Sequence, residues 1–381
     1  MRPLPENFAP KKILVVQLRQ IGDVLLTTPA LRALKKRWPE AKISFLVEPL
    51  PAKVLWGNHN IDELIVRNPK EGGLEPLRTI RAVRSRGFDL VIDFLGSTRT
   101  APIAFLSGAT VTISDANRRR AFLYTHPVKP EGLFTAEQKL SLLRIFNIPP
   151  EPIALDMALP DAAREKIDAW LHERGLDRAD PLVVLEPFHK RWALEYPAAA
   201  FTRLAELMTE RWSAQVVVSW GPGREADARA IVEASRVPLH LAPATDLHEM
   251  AALSGRAQIW VGNESGPRHL AASQRVPTFA AALDAPTLEQ LGARAPEGAD
   301  DAGANVVSIK TVQLQRAAAR GFATPQDAVR AFERALGRAI ESFEDPETRA
   351  DLYKVIMNCL GDPPLLQENA LRIRRALNER G

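Results

Sequence analysis

One cysteine, Cys359, is all the chain has among 381 residues. That excludes an internal disulfide and any cysteine-built zinc cluster. No two of the seven histidines stand in HExxH spacing, so no metal site is expected. No apolar run approaches the roughly 18 residues of a membrane-spanning helix. The opening MRPLPENFAPKK has no apolar core or small-residue cleavage site, so no secretory signal is expected. Low-complexity tracts and solenoid-period repeats are also missing. These absences leave a globular, cytoplasmic protein as the expectation.

What is present fits that class: 46% of residues are apolar and 25% charged. Length alone suggests two or three domains. The net charge of +4 hides an asymmetry. Residues 1–150 hold 23 Lys and Arg against 13 Asp and Glu, leaving 27 against 33 in the remainder. A basic first half attracts a phosphorylated substrate, an anionic membrane surface or nucleic acid, or is simply a solvated face. NRRRAFLY (Asn117–Tyr124) is its densest spot, yet it matches the spacing of no nucleic-acid module, and no nucleic-acid partner is expected.

The pattern along the chain is strand, helix, strand. ILVVQL (Ile13–Leu18) is short, β-branched and apolar, as a buried parallel strand should be. The spacing of Leu25, Leu26, Pro29, Ala30, Leu34 and Trp38 predicts one helix, stopped at WPEA. KISFLV, IDELIVR and DLVIDFL read as further strands, and PLRTIRAVRSRG as a helix. Proline-rich NIPPEPIALDMALPDAA (Asn147–Ala163) reads as a linker. A second series follows, with strands at PLVVLEP, AQVVVSW, PLHLA, QIWVG and PTFAAAL separated by amphipathic helices. Helical patterns resume from about Thr324 to Gly381. Two α/β units with right-handed crossovers are expected to face each other across a cleft at the carboxyl ends of their strands. The boundaries are 1–158 and 159–337, with a helical extension over 338–381.

Chemistry is therefore sought in the loops after strands. Asp23, following Gly22, stands where the first strand hands over to a helix. It is a helix N-cap, or a general base for an acceptor hydroxyl. VGNESGPRHLAA repeats the arrangement, and the N–H groups around Ser265 and Gly266 suit a diphosphate, with Glu264 or Ser265 as the alternative cap. His269 alone reads equally as a structural histidine. GPGREA matches a dinucleotide fingerprint, but on the second strand of its unit rather than the first. Glu225 there accepts ribose hydroxyls or caps its helix. Lys190 and Arg191 offer charge to a leaving diphosphate, or form a solvated basic turn.

Together GDVLLTTPALRAL, KRW, LHEMAALSGRAQIWVGNESGPRHLAASQRVPT and TPQDAVRAFERAL resemble the ADP-heptose:lipopolysaccharide heptosyltransferase family, glycosyltransferase family 9, over roughly residues 11–337. The resemblance implies a glycosyltransferase B fold: an N-terminal Rossmann-like acceptor domain and a C-terminal Rossmann-like nucleotide-sugar domain. It implies inverting transfer without metal or cofactor, from an ADP-linked sugar to a glycolipid or other glycan acceptor beside an anionic membrane. Asp23 would be the base, with Gly22 beside it. Lys190 would contact the donor phosphates, Glu225 the ribose, and Ser265, Gly266 and His269 would form the phosphate loop. Three departures stand out. Glu264 replaces the family's aspartate, LEPFHKRW is shorter with Phe188 and His189 in place of small residues, and FAAALDAPT lacks the usual glycine-proline turn. The first two motivate a second reading, a non-catalytic member acting as an interaction protein. A nicotinamide-dependent oxidoreductase using GPGREA is the third.

Overall fold

The computed structural model describes residues 3–132, 134–149, 151–176, 180–190, 198–263 and 265–281. Glu264, Arg191 and the helical patterns expected beyond Thr324 lie outside the described residues. The chain divides into two compact units, Met1–Ala158 and one that begins at Leu159.

In the first unit the strands are β1 (Lys12–Val16), β2 (Lys42–Val47), β3 (Glu63–Val66), β4 (Leu90–Asp93), β5 (Val111–Asp115) and β6 (His126–Val128). The helices are α1 (Ile21–Leu25), α2 (Thr28–Arg37), α3 (Pro49–Ala52), α4 (Glu75–Arg86), α5 (Ala101–Leu106) and α6 (Thr135–Ser141). All strands pair in parallel in the order β3-β2-β1-β4-β5-β6. The apolar runs explain the centre: Ile13 to Val16 and Leu90 to Ile92 are fully buried, as a sheet covered on both faces requires.

The single helix expected after β1 is two. Pro29 has no N–H to give the carbonyl of Leu25, and the Thr28 hydroxyl donates to that carbonyl instead at 2.7 Å. The Thr27 hydroxyl closes on the carbonyl of Val24 at 2.6 Å, so the chain turns between α1 and α2 with its polar groups satisfied. The proline-rich linker is likewise not free-standing. Arg32 of α2 donates to the carbonyls of Pro152 (2.6 Å) and Ala154 (3.1 Å) and pairs with Asp156, while Leu155 and Met157 are buried.

In the second unit the strands are β7 (Leu182–Glu186), β8 (Gln215–Val218), β9 (His240–Leu241), β10 (Ile259–Asn263) and β11 (Thr278–Ala281). The helices are α7 (Asp161–Glu173), α8 (Ala198–Trp212), α9 (Glu225–Ala234), α10 (Leu247–Arg256) and α11 (Gly266–Ser273). The parallel order is β11-β10-β7-β8-β9. Two apolar layers cover the sheet, one around Phe201, Met208 and Ile231, the other around Ile167, Leu253 and Trp260.

In each sheet the first strand is interior, and the chain builds outward on one side before reversing to the other. The reversal lies between β1 and β4 in the first unit and between β7 and β10 in the second. Open α/β sheets bind ligands at the carboxyl ends of the strands flanking such a switch point.

Candidate active site

At the first switch point, the loop from Gln17 to Asp23 leaves β1 and the segment from Asp93 to Gly96 leaves β4. Asp23 is half-buried in the first turn of α1, and Gln20, not Asp23, occupies the cap position without a side-chain bond. The N-cap alternative for Asp23 is thereby corrected. Its carboxylate remains near the positive end of the helix, as a first-turn acid should be. Gly22 is buried, and its carbonyl accepts the N–H of Leu26 at 2.9 Å.

Three side chains absent from the expectations stand at this switch point: Lys139, Asp93 and Tyr124. Lys139 of α6 is 7% exposed, and its ammonium donates to Gln17 Oε1 and to the main-chain oxygen of Asp23, each at 2.9 Å. It also lies 5.6 Å from the ring centroid of Phe94. Burial pushes the lysine down to about 8, and Arg118 adds to that, while the charges of Asp23 and Asp93 act in the opposite direction. Asp93, at the end of β4, is fully buried and accepts the N–H groups of Leu95 (2.9 Å) and Gly96 (3.0 Å) and the hydroxyl of Tyr124 (2.7 Å). Burial raises its carboxyl against those four-sided bonds, which also include Thr100. The Tyr124 hydroxyl is raised too, by burial and then by the Asp93 charge.

At the second switch point the tie between the two loops is an amide. Asn263, fully buried at the end of β10, donates from Nδ2 to the carbonyl of Pro187 after β7 at 2.7 Å, tying the two loops together. Glu186, the last residue of β7, accepts the Ser219 hydroxyl at 2.6 Å. Gly262 has no room for a side chain: an added Cβ would lie 2.3 Å from the Glu186 carbonyl oxygen. Ser265 takes the cap position of α11, yet its hydroxyl makes no cap bond and is buried without a hydrogen-bond partner. Gly266 opens that helix and His269 lies half-buried on it. Lys190 is exposed, two residues past Phe188.

The structure places two further residues, and for one of them, Glu225, the cap alternative is corrected. Phe188 belongs to the core of this unit, with the Arg224 guanidinium 4.4 Å above its ring, so it does not line a ligand loop. Glu225 follows β8, away from the switch point; it neither caps α9, where Arg224 holds that position, nor stands alone, since Arg229 pairs with it at 2.8 Å. The structure thus brings Ser265 and Gly266 to one switch point beside the loop that carries Lys190, and Asp23 with Gly22 to the other. Among the described residues no cluster of three or more His, Cys, Asp or Glu side chains is arranged to hold a metal ion, and no helix is long and apolar enough to cross a membrane.

Two parallel, doubly wound sheets with loops assembled at their switch points define the glycosyltransferase B class. A glycosyltransferase family 9 structure from Veillonella parvula superposes with a TM-score of 0.63 at 25% identity, over 71% of this chain and 80% of that one. The Escherichia coli ADP-heptose lps heptosyltransferase II superposes at 0.58 and 18% identity, over 71% and 84%. In sequence the chain is 28% identical over 274 residues to lipopolysaccharide heptosyltransferase 3 of Escherichia coli, spanning 68% of this chain and 80% of that protein. The model for glycosyltransferase family 9 (heptosyltransferase) matches residues 77–289. The chain belongs to this family and is a glycosyltransferase.

Proposed function

We propose that the protein transfers heptose from ADP-heptose to a hydroxyl of a lipopolysaccharide core or related glycan, with inversion and without a metal. Family membership and the named relative support the sugar and the acceptor class. The observation that carries the donor assignment is the partnerless buried hydroxyl of Ser265 at the amino end of α11. A helix N-terminus presents N–H groups and positive potential, and an unsatisfied hydroxyl beside it suits an anionic oxygen.

The acceptor hydroxyl attacks the anomeric carbon as Asp23 takes its proton. The bond from that carbon to the diphosphate oxygen breaks, and ADP leaves with the electron pair. Lys190 and the amino end of α11 stabilise the charge on the departing diphosphate, where fixed donors are most effective. Ser265, Gly266 and His269 form the phosphate loop, and Glu225 serves the ribose by releasing Arg229; Glu264 is assigned to donor binding by the family resemblance alone. The protein works at the cytoplasmic side of a membrane, where the 23 Lys and Arg of residues 1–150 favour salt-sensitive contact with anionic lipid.

Turnover of ADP-heptose by the purified protein, followed as ADP release with a truncated lipopolysaccharide acceptor, tests the assignment. Asp23→Asn is expected to lower kcat by about 10²- to 10⁴-fold, the range typical of a general base. Unchanged kcat in the folded variant refutes the role of Asp23. Calorimetry with ADP, in which Lys190→Ala weakens binding, tests the donor site. Absence of any ADP binding moves the assignment to the interaction protein.

A further inference from the structure

The loop bearing Asp23 is not self-supporting. Helix α1 has five residues and no side-chain cap at its start. A helix that short has no stability of its own, so its position must come from tertiary bonds. At its end the N–H of Thr27 bonds the carbonyl of Val24 and not that of Asp23. This leaves the Asp23 carbonyl as an orphan acceptor, and the Lys139 ammonium fills it at 2.9 Å.

The same ammonium holds the other end of the loop. It donates to Gln17 Oε1 at 2.9 Å, while Gln17 Nε2 donates to the carbonyl of Arg19 at 2.7 Å. Gln17 is 2% exposed and Lys139 7%, so the bracket is dry. Lysine is seldom buried to this degree without a specific task. Burying a cation against an amide oxygen and a main-chain carbonyl is costlier than using a neutral donor. The cation also puts a fixed positive charge beside two carboxylates, Asp23 and Asp93.

We infer that Lys139, braced by Gln17, is a positioning residue for Asp23: it fixes the backbone of α1 so that the carboxylate meets the acceptor hydroxyl. This rests on Asp23 being the base. Lys139 touches no substrate in this account. It sets the geometry of proton transfer, so its loss acts on kcat and leaves the donor site of the second unit untouched. A displacement of about 1 Å in a reacting group costs on the order of 10²-fold in rate.

The test compares Lys139→Met, Lys139→Arg, Gln17→Met and Asp23→Asn in the full chain, measuring kcat, donor KM, ADP affinity and thermal midpoint. Lys139→Met is expected to lose about 10²-fold in kcat with donor KM and ADP affinity within about twofold of the parent. Lys139→Arg, which keeps charge and donors, is expected to recover at least about a tenth of parental kcat. Gln17→Met is expected to fall in the same direction by about tenfold. A merely structural lysine would lower the thermal midpoint without this split between kcat and KM.

Parental kcat in folded Lys139→Met, with Asp23→Asn inactive, overturns the inference and leaves the base assignment standing. Parental kcat in Asp23→Asn overturns the base assignment and this inference with it. If Lys139→Met does not fold, Gln17→Met decides, because it retains the lysine; parental kcat in Gln17→Met then overturns the proposal.

Discussion

The two switch points share a topology and differ in what braces them. In the first unit a buried ammonium, Lys139, holds the loop after β1 and a buried carboxyl, Asp93, holds the turn after β4. In the second, the tie between the loops is a neutral amide, Asn263 to the carbonyl of Pro187. Buried charge is costly, and it sets the field in which a neighbouring group gains or loses a proton. A neutral brace leaves N–H groups and a hydroxyl to receive charge that arrives with a ligand. Under the proposed function the first unit handles a proton and the second an anion, although buried Glu186 and Arg268 also put charge near the second switch point.

Glycine at each switch point sharpens the contrast through stability. At Gly262 a methyl group would meet main chain, 2.3 Å from the Glu186 oxygen, and the Trp260 ring at 2.7 Å, and neither can step aside. Gly262→Ala is expected to cost about 3 kcal/mol or more, as overpacking against rigid neighbours does. Gly96 has φ +58°, and its new methyl would meet side chains rather than main chain, Arg118 at 2.9 Å and the Ser114 hydroxyl at 3.0 Å. Gly96→Ala is expected to cost about 1–2 kcal/mol, the strain of a left-handed residue plus a movable contact. Urea denaturation of both variants reads the order; equal losses would mean that the second switch point is no stiffer than the first.

Much of this was open to sequence reading, and the reasons for the rest are physical. The central strands are continuous apolar runs, and burial on both faces leaves that mark in the sequence. Strands β5 and β6 leave little: VTISD mixes Thr, Ser and Asp into a short run, and HPV has three residues with proline in the middle. Asp23, Ser265 and Gly266 stand in recognisable loops beside strand ends. Lys139 does not. TAEQKLS reads as an ordinary solvated helix, and the lysine is buried by partners 116 and 122 residues away. The ion pair of Glu225 with Arg229 is spaced four apart on one helix and was legible, but only the structure shows that Glu225 lies off the switch point.

Titration separates the units next. Lys139 is held at about 8 in the folded protein, below its ordinary 10.5. Between those values the unfolded chain binds the extra proton, so unfolding free energy rises with pH across that window. Below about 8 the penalty is fully present. Glu206 of the second unit behaves in the opposite sense. It accepts Arg236 Nη2 at 2.8 Å and Arg203 Nη1 at 3.1 Å, and Arg236 holds its carboxyl down at about 2 against an ordinary 4.5. Its contribution is present above 4.5 and is lost as pH falls through that value toward 2. Lys139→Met is expected to flatten the alkaline slope, and Glu206→Gln the acid one, in denaturation midpoints measured across pH. A variant that flattens neither slope would remove its residue from the account.

The smallest effect on stability is the most discriminating for function. Removing one partner of a buried hydrogen bond normally leaves the other unsatisfied and costs about 1–3 kcal/mol. The Ser265 hydroxyl has no partner to abandon. Ser265→Ala should therefore leave the ligand-free protein within about 0.5 kcal/mol of the parent, or slightly more stable, because a desolvated hydroxyl has been replaced by nothing. With ADP the sign reverses. If the hydroxyl donates to a phosphate oxygen, the variant loses a charge-assisted bond and should bind about tenfold more weakly, as removal of about 1.4 kcal/mol implies. The stabilisation by ADP in a thermal shift series then shrinks in Ser265→Ala while the ligand-free midpoint stays put. A lowered ligand-free midpoint with unchanged ADP affinity would make Ser265 a structural residue and remove the observation on which the proposed donor site rests.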